Sequence, residues 1–441
     1  MRRTIYLDRG MLYFLTTGTG VWRRPLPVAW PRTTAERGVR PALDAWLKGF
    51  YGTLPYAEYS IVDRAARALE GNAGGRLGDP DCPWYPLRAA RPSSTRRFLG
   101  IWNWDCAFMA LAMAKWDANL ARDQFRVFAR LQASDGMYPD CWRMNEPFAF
   151  AGCTKPPVLA WAVWAAERAE GDRDFLAEAY KSLARNLDWW KTHRRRPGDT
   201  LFHYDGEAMD GKMRRLYTGW ESGMDDSPRW DGGRPWQLWP VDLNCYMVMS
   251  YRAMAEFAVR LGLPQEAGVW SARARELSAA LETALWDEEQ GCYADWDFGA
   301  GRFSRVLTPA AFLPLYIGTA TPARAARMAE AAKRLSPGWP TVAYDDPTYS
   351  DGYWRGRTWL NVAYFALKGL KYYGYDQLAE TGRRQLFTWM LRESASFNEN
   401  YNSRNGQVRG AEYFGWSNAF AIKLVLDWNN RRDEEMPVYG D

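Results

Sequence analysis

The chain has 441 residues, 47% of them apolar and 25% charged, which is the balance of a protein that folds around a large core rather than a disordered one. Its 57 Lys plus Arg against 52 Asp plus Glu leave a net charge of +5, too little at this length to imply nucleic acid or another polyanion as partner. Only two histidines occur, His193 and His203, which all but removes Ser-His-Asp catalysis, Cys-His catalysis and the usual zinc sites, and no metal or cofactor is expected.

Residues 1–35 carry β-branched and aromatic runs around glycine, "TIYLDRGMLYFLTTGTGVWRRPLPVAW", and predict a hairpin or a strap. Asp8 and Arg9 interrupt the apolar run behind the basic start, and no convincing small-residue cleavage site follows. No apolar stretch of about 18 residues occurs, so no membrane span is expected, and the reading is a cytoplasmic protein. From about residue 36 to 441 apolar positions recur three and four apart, with Gly, Asn or Pro stops. "AEYSIVDRAARALEGN" comes first, and "WDCAFMALAMAKWD" and "ANLARDQFRVFARLQASDG" follow it. The pattern continues through "PVDLNCYMVMSYRAMAEFAVRLG" and "WLNVAYFALKGLKYYG" to "WSNAFAIKLVLDWNN". About a dozen antiparallel helices with no intervening strand pattern predict an all-α (α/α)6 barrel after the N-terminal segment. The basic run "KTHRRRPGD" ends one of these helices before Pro197 and Gly198, an ordinary stop signal rather than a nucleic-acid site. The six cysteines show no CxxC spacing and are expected as free thiols.

In such a barrel the long connections gather at one end. The interruptions at 72–101, 137–156, 198–239, 291–308, 336–354 and 397–416 are expected to build the site. With histidine scarce, carboxylates are the leading catalytic candidates. The 25 tryptophans suggest sugar, because indole faces pack on the C–H faces of pyranose rings, although tryptophan also fills helical cores. Five stretches combine Trp, carboxylates, Arg and Gly: "GIWNWDCAF", "GMYPDCW", "TGWESGMDDSPRW", "SDGYWRGRTW" and "NENYNSRNGQVRGAEYFGWSNA". By itself the Asp225–Asp226 pair followed by Ser227 and Pro228 reads equally as a turn or cap, and a diphosphate-type DDxxD fails at Arg229.

Together, in this order over roughly residues 56–428, these stretches resemble the inverting α-glycosidases of glycoside hydrolase family 63, and more distantly the family 37 trehalases. The resemblance implies that Asp225 is the general acid and Glu399 of "ENYNSRNG" the general base. It places Trp354, Arg355 and Gly356 at the sugar and lets Asp105 of "WNWD" contact the terminal ring. Trp102, Trp104, Trp220, Glu221, Tyr401 and Trp416 complete the expected substrate contacts. The chain departs from the family pattern at Ser403, where proline is usual, at Asn405, where threonine is usual, and at Glu412, an added carboxylate expected near the rim.

The chemistry of the residues agrees with this. Inversion requires a protonated carboxyl on one side of the scissile bond and a carboxylate on the other, about 6.5–9.5 Å apart to admit a water. The acid must keep its proton near neutral pH, which burial and like charges favour. Glu221 and Asp226 are expected to oppose ionisation of Asp225, with Glu221 on the same helical face four residues earlier. Trp220 and Trp230 are expected to exclude water. The leading reading is an exo-acting α-glucosidase on a short oligosaccharide or small glucoside. The alternatives are a trehalase, a glucosyl- or mannosylglycerate hydrolase in which Arg357 and Arg409 neutralise the glycerate, and a non-catalytic carbohydrate-binding protein.

Overall fold

The computed structural model describes residues 3–8, 11–16, 39–73, 89–90, 100–143 and 149–439. In the N-terminal segment, strand β1 (Arg3–Asp8) pairs antiparallel with β2 (Met11–Thr16), Asp8 opposite Met11. Much of the expected 72–101 connection, and part of 137–156, lies outside the described residues.

The helices α1 to α5 are Val39–Lys48, Tyr56–Gly71, Asn103–Met113, Ala118–Arg130 and Leu159–Ala169. Those from α6 to α10 are Arg173–His193, Gly211–Ser222, Val241–Leu261, Pro264–Ala284 and Leu313–Ile317. α11 to α14 are Pro322–Ala332, Leu360–Tyr372, Asp376–Met390 and Gly415–Leu426. Two kinds alternate. α3 is buried at every residue and α14 at all but its last, as expected of helices apolar on every side. α6 and α13 bury one stripe and expose the other, α4 is mostly buried with Asn119 exposed, and Asp117 and Asp172 cap α4 and α6 by accepting backbone N–H bonds of the first turn.

The buried helices close on themselves. α3 packs on α5, α5 on α8, α8 on α10, α10 on α12, α12 on α14, and α14 returns to α3. α4, α6, α9 and α13 pack outside this ring, and α2 covers α14 and α3. This is an (α/α)6 barrel, and its axis is filled rather than open. Each ring helix contributes an aromatic side chain: Phe108, Trp161, Tyr246, Tyr316, Phe365 and Phe420. Phe365 stands among the other five with ring centroids 5.1–6.3 Å away. Edge-on geometries dominate, which suits the ring quadrupole.

Chain direction sets the two ends apart. Connections leaving the inner helices are short, at 114–117, 170–172, 262–263, 318–321 and 373–375, and pass at their C-terminal end. Long connections arrive at the opposite end, where α3, α5, α8, α12 and α14 begin, and this is where the predicted site segments fall. Under the barrel floor Lys423 sits between Asp427 at 2.7 Å and Glu435 at 2.8 Å, so the buried charges there are paired.

One expectation fails in detail. Residues 198–239 are not a single loop: they contain α7, 3-10 turns at Pro228–Trp230 and Pro235–Gln237, and the strand Leu238–Trp239, which joins a three-stranded sheet with Trp296–Asp297 and Arg302–Phe303. The sequence "GKMRRLYTGWES" has two glycines and a threonine, so its helix propensity is poor, and burial of Tyr217, Thr218 and Glu221 forms the helix instead. α1 likewise has no counterpart among the helices read from periodicity.

Replacing Phe365 by alanine removes the centre of the axial cluster. Urea unfolding is expected to show a loss of about 3–5 kcal/mol, against less than about 1.5 kcal/mol for Phe365→Leu.

Candidate active site

Asp225 lies in the turn that follows α7. Gly223 ends the helix with φ +77°, and a β-carbon there would overlap the indole of Trp104, so only glycine lets the chain turn this closely against α3. Buried ion pairs hold the turn on both sides. Before it, Glu221 receives Nε and Nη2 of Arg194 at 2.6 and 2.9 Å and the backbone N–H of Asp205 at 3.0 Å. After it, Arg229 bridges Asp242 and Asp295, with its shortest bonds at 2.8 and 2.7 Å, and ties the turn to the first residues of α8. Asp226 adds a third link by accepting the backbone N–H of Trp354 at 2.7 Å.

Glu399 is fully buried. Its Oε1 accepts the Tyr353 hydroxyl at 2.6 Å and its Oε2 the backbone N–H of Ala411 at 2.8 Å. Gly410, at φ +73°, passes so near that a β-carbon would strike the carboxylate. The short pair Asn400–Tyr401 with Val408–Arg409 holds the segment, and Thr358 and Tyr401 exchange backbone bonds at 2.8 and 3.0 Å. The departures at Ser403 and Asn405 are accommodated. Asn402 accepts the backbone N–H groups of Arg404 and Asn405 to form a side-chain turn, and Ser403 bonds Tyr349.

Five side chains from four stretches of chain face one another: Asp105 at the start of α3, Asp140 and Lys155 between α4 and α5, Asp225, and Glu399. The Lys155 ammonium is 3.3 Å from Asp140 and 3.9 Å from Asp225 and donates to the carbonyl of Trp220. Burial, Asp140 and Glu399 push the Asp105 carboxyl up to about 8, against the pull of Lys155. Asp225 is pushed up to about 7, by burial first and then by Asp140, Asp226 and Glu399, again opposed by Lys155. Its side chain is still 31% exposed, open to the cleft and enclosed by protein elsewhere. Burial works against the charge on Lys155, but Asp140 and Asp225 outweigh it and hold the ammonium above the usual lysine range.

The expected contacts divide. Trp104 packs edge-on against Trp416 at 4.9 Å and lies 6.4 Å from Trp354, which stacks on Trp359 at 3.9 Å; all four indoles are buried, so they form one packed wall beside Asp105 that offers a sugar little more than its edges. Trp102 is half-buried on strand β3 (Gly100–Trp102), opposite Cys141 of β4 (Cys141–Arg143). Glu221 is not a sugar contact: it has no solvent exposure and is committed to Arg194. Nor does it share a face with Asp225, because α7 ends at Ser222, and the like charges acting on Asp225 are Asp140, Asp226 and Glu399. Arg355 pairs with Asp231 at 2.5 Å and bonds the carbonyl of Asp226, so it clasps the Asp225 turn from outside. Tyr401 is buried away from solvent, stacked on Trp389 with its hydroxyl on Glu393 at 2.6 Å. Gly356 serves the backbone, packed on Ser350 and Tyr349. Trp220 lies against Tyr217 and Phe150, and Trp230 is buried with its indole N–H on the Met224 carbonyl. Glu412 is exposed. Sequence reading passed over Asp140, Lys155 and Tyr353, although "GMYPDCW" and "YWRGRTW" contain two of them; Lys155 ahead of two prolines carries no signal of its own.

A carboxyl that titrates near neutrality, a second carboxylate on the facing connection and an indole wall, at the open end of an (α/α)6 barrel, are the equipment of a glycoside hydrolase. Residues 99–417 match the family described as the mannosylglycerate hydrolase MGH1-like glycoside hydrolase domain. The chain belongs to that family, within glycoside hydrolase family 63. Mannosylglycerate hydrolase of Thermus thermophilus is 28% identical over 81% of this chain and 99% of that protein. A crystal structure of the family 63 mannosylglycerate hydrolase from Thermus thermophilus, in complex with Tris and D-glycerate, superposes with a TM-score of 0.67, at 26% identity, over 82% of this chain and 99% of that one. Neutral trehalase Nth1 from Saccharomyces cerevisiae shares the fold, with a TM-score of 0.59 at 19% identity over 76% of this chain and 72% of that one. Among the described residues no helix is long and apolar enough to cross a membrane.

Glu221→Ala leaves the buried Arg194 guanidinium with only the half-exposed Glu207 as its carboxylate partner, and equilibrium unfolding is expected to register a loss of about 3 kcal/mol. Asp225→Asn keeps the shape of a side chain that is itself destabilised by neighbouring charge, and is expected to unfold within about 1 kcal/mol of the parent.

Proposed function

We propose that the protein hydrolyses an α-linked glycoside of glycerate, with mannosylglycerate the leading substrate, by inversion. Asp225 acts as general acid and Glu399 as general base. The observation that carries the chemistry is the Asp225 carboxyl, which burial and like-charge neighbours push up to about 7, facing a Glu399 whose two oxygens both accept hydrogen bonds. Asp225 protonates the glycosidic oxygen as the C1–O bond breaks. Glu399 takes a proton from the water that attacks C1 on the opposite face. Asp105 and the wall of Trp104, Trp354 and Trp416 hold the terminal sugar.

The names of the curated relatives support a glycerate aglycone, and one cluster beside the base suits an anion. Arg357 bonds Asn400 at 3.3 Å, Arg409 faces Asn400 across the strand pair, and both guanidiniums share the single carboxylate of Asp351. Two cations on one anion leave a net positive charge there. An α-glucosidase acting on neutral oligosaccharides is the second reading, favoured by the likeness in fold to a trehalase. A panel of mannosylglycerate, glucosylglycerate and neutral α-disaccharides separates the two. The highest kcat/KM is expected for a glycosylglycerate, and preference for a neutral disaccharide would restore the second reading.

Asp225→Asn is expected to lower kcat on the unactivated substrate by about 10²–10⁴-fold. The glycosyl fluoride, whose leaving group needs less protonation, should recover part of the rate in Asp225→Asn and none in Glu399→Gln. The acid must be protonated to act, so kcat/KM is expected to fall as pH rises through about 7. Proton NMR of early product should show the β-anomer from an α-linked substrate; initial α-anomer would mean that a carboxylate acts as nucleophile, and the roles assigned to Asp225 and Glu399 would be wrong.

A further inference from the structure

Lys155 is the one cation facing the carboxyl cluster among the described residues, and its position is built. Pro156 and Pro157 follow it, the N–H of Thr154 bonds the buried Glu221 at 3.3 Å, and its own ammonium bonds the Trp220 carbonyl at the C-terminal end of α7. Cations are favoured at a helix C-terminus, where the last carbonyls lack partners. The side chain is 5% exposed and reaches Asp140 at 3.3 Å and Asp225 at 3.9 Å. It therefore joins the helix that delivers Asp225 to the carboxyl that acts, while Asp140 competes for the same charge.

We propose that Lys155 is a positioning residue for proton transfer: fixed between Asp140 and the end of α7, it orients Asp225 and stabilises the carboxylate that Asp225 becomes when it gives its proton to the leaving oxygen. The proposal rests on Asp225 being the acid and Glu399 the base. In the step concerned the C1–O electron pair passes to the glycosidic oxygen, which takes the Asp225 proton, while water bonds to C1 and its proton goes to Glu399. Negative charge thus moves from Glu399 to Asp225, that is, toward Lys155. A cation at that place strengthens the acid in the transition state and keeps it from holding its proton too tightly. The other described titratable groups facing Asp225 are the carboxyls of Asp226 on its own turn, Asp140, Asp105 and Glu399, and the Tyr353 phenol held on Glu399; none is a cation, so none of them can substitute for Lys155.

The test compares Lys155→Met, Lys155→Arg and Asp140→Asn on the best unactivated glycoside of the panel and on the glycosyl fluoride of the same sugar. Lys155→Met is expected to lower kcat on the unactivated glycoside by about 10- to 100-fold and to change the fluoride rate by less than about 3-fold. It should move the alkaline limb of kcat/KM upward by roughly one pH unit, because the opposing cation is gone. Asp140→Asn should move that limb downward, since it removes a like charge and frees Lys155 for Asp225. Lys155→Arg should restore most of the rate. Equal losses on both substrates with an unmoved limb, or limbs that move in the same direction in the two variants, would overturn the proposal. If Lys155→Met does not fold, Asp140→Asn decides: a limb that stays or rises is fatal. Asp225→Asn run alongside tells the two failures apart. If it still turns over the unactivated glycoside, the acid assignment falls and Lys155 with it; if it is inactive while the other variants misbehave, only the role of Lys155 falls.

Discussion

The inner helices of this barrel have no side that faces water. α3, α5, α8, α10, α12 and α14 pack on one another in a closed ring and are covered from outside, so each must be apolar all round. Six large aromatic side chains, one per helix, meet on the axis and leave no channel. A polar side chain belongs to such a helix mainly near its ends, and those deeper in, such as Ser250 and Arg252 of α8, bond the carbonyls of Pro157 and Ile317. At the C-terminal ends the connections are short, and they enclose the paired charges around Lys423 and the Lys368 ammonium, which bonds the carbonyls of Asp427, Trp428 and Asn430. At the N-terminal ends the connections are long, and the polar groups there are left to satisfy one another.

That constraint explains the electrostatics of the site. Asp105 begins α3, Lys155 precedes α5, the acid turn precedes α8, Tyr353 precedes α12 and Glu399 precedes α14, so separate connections deliver like charges into one desolvated space. Among the described residues, four carboxyl groups share one ammonium there, and they cannot all be ionised at low cost. The result is a raised pKa for Asp105 and Asp225, which is what acid catalysis near neutral pH requires. The functional property follows from crowding and burial and needs no special reagent.

The carboxylates in and around "TGWESGMDDSPRW" do different work, and partners decide which. Glu221 and Asp295 are each locked to a buried guanidinium, and Asp226 takes a backbone N–H, so these three hold geometry. Asp225 pairs with no guanidinium among the described residues. It has a shared lysine and an opening to the cleft, which is the position the proposed acid needs. The two buried Arg clusters on either side of it, through Arg194 and Arg229, hold a turn whose own sequence has little intrinsic preference for order.

The sequence by itself determined a succession of about a dozen helices with no strand pattern between them, hence the barrel, because periodicity is a local property that burial reads directly. It also marked segments that the fold gathers at one end, since Trp, Asp, Glu and Arg concentrate where helices stop, and the likeness of those segments to the family 63 pattern singled out Asp225 and Glu399. What only the tertiary structure decided was pairing. Nothing local shows that Arg194 claims Glu221, that Asp231 claims Arg355, or that Tyr401 turns to Glu393 rather than to the cleft. The same holds for α7, whose helix forms through burial against its propensity, and for Lys155, an unremarked lysine before two prolines until the fold sets it beside Asp225. Charge neutralisation in a core depends on distances of a few ångströms between residues remote in sequence, and only packing sets those distances.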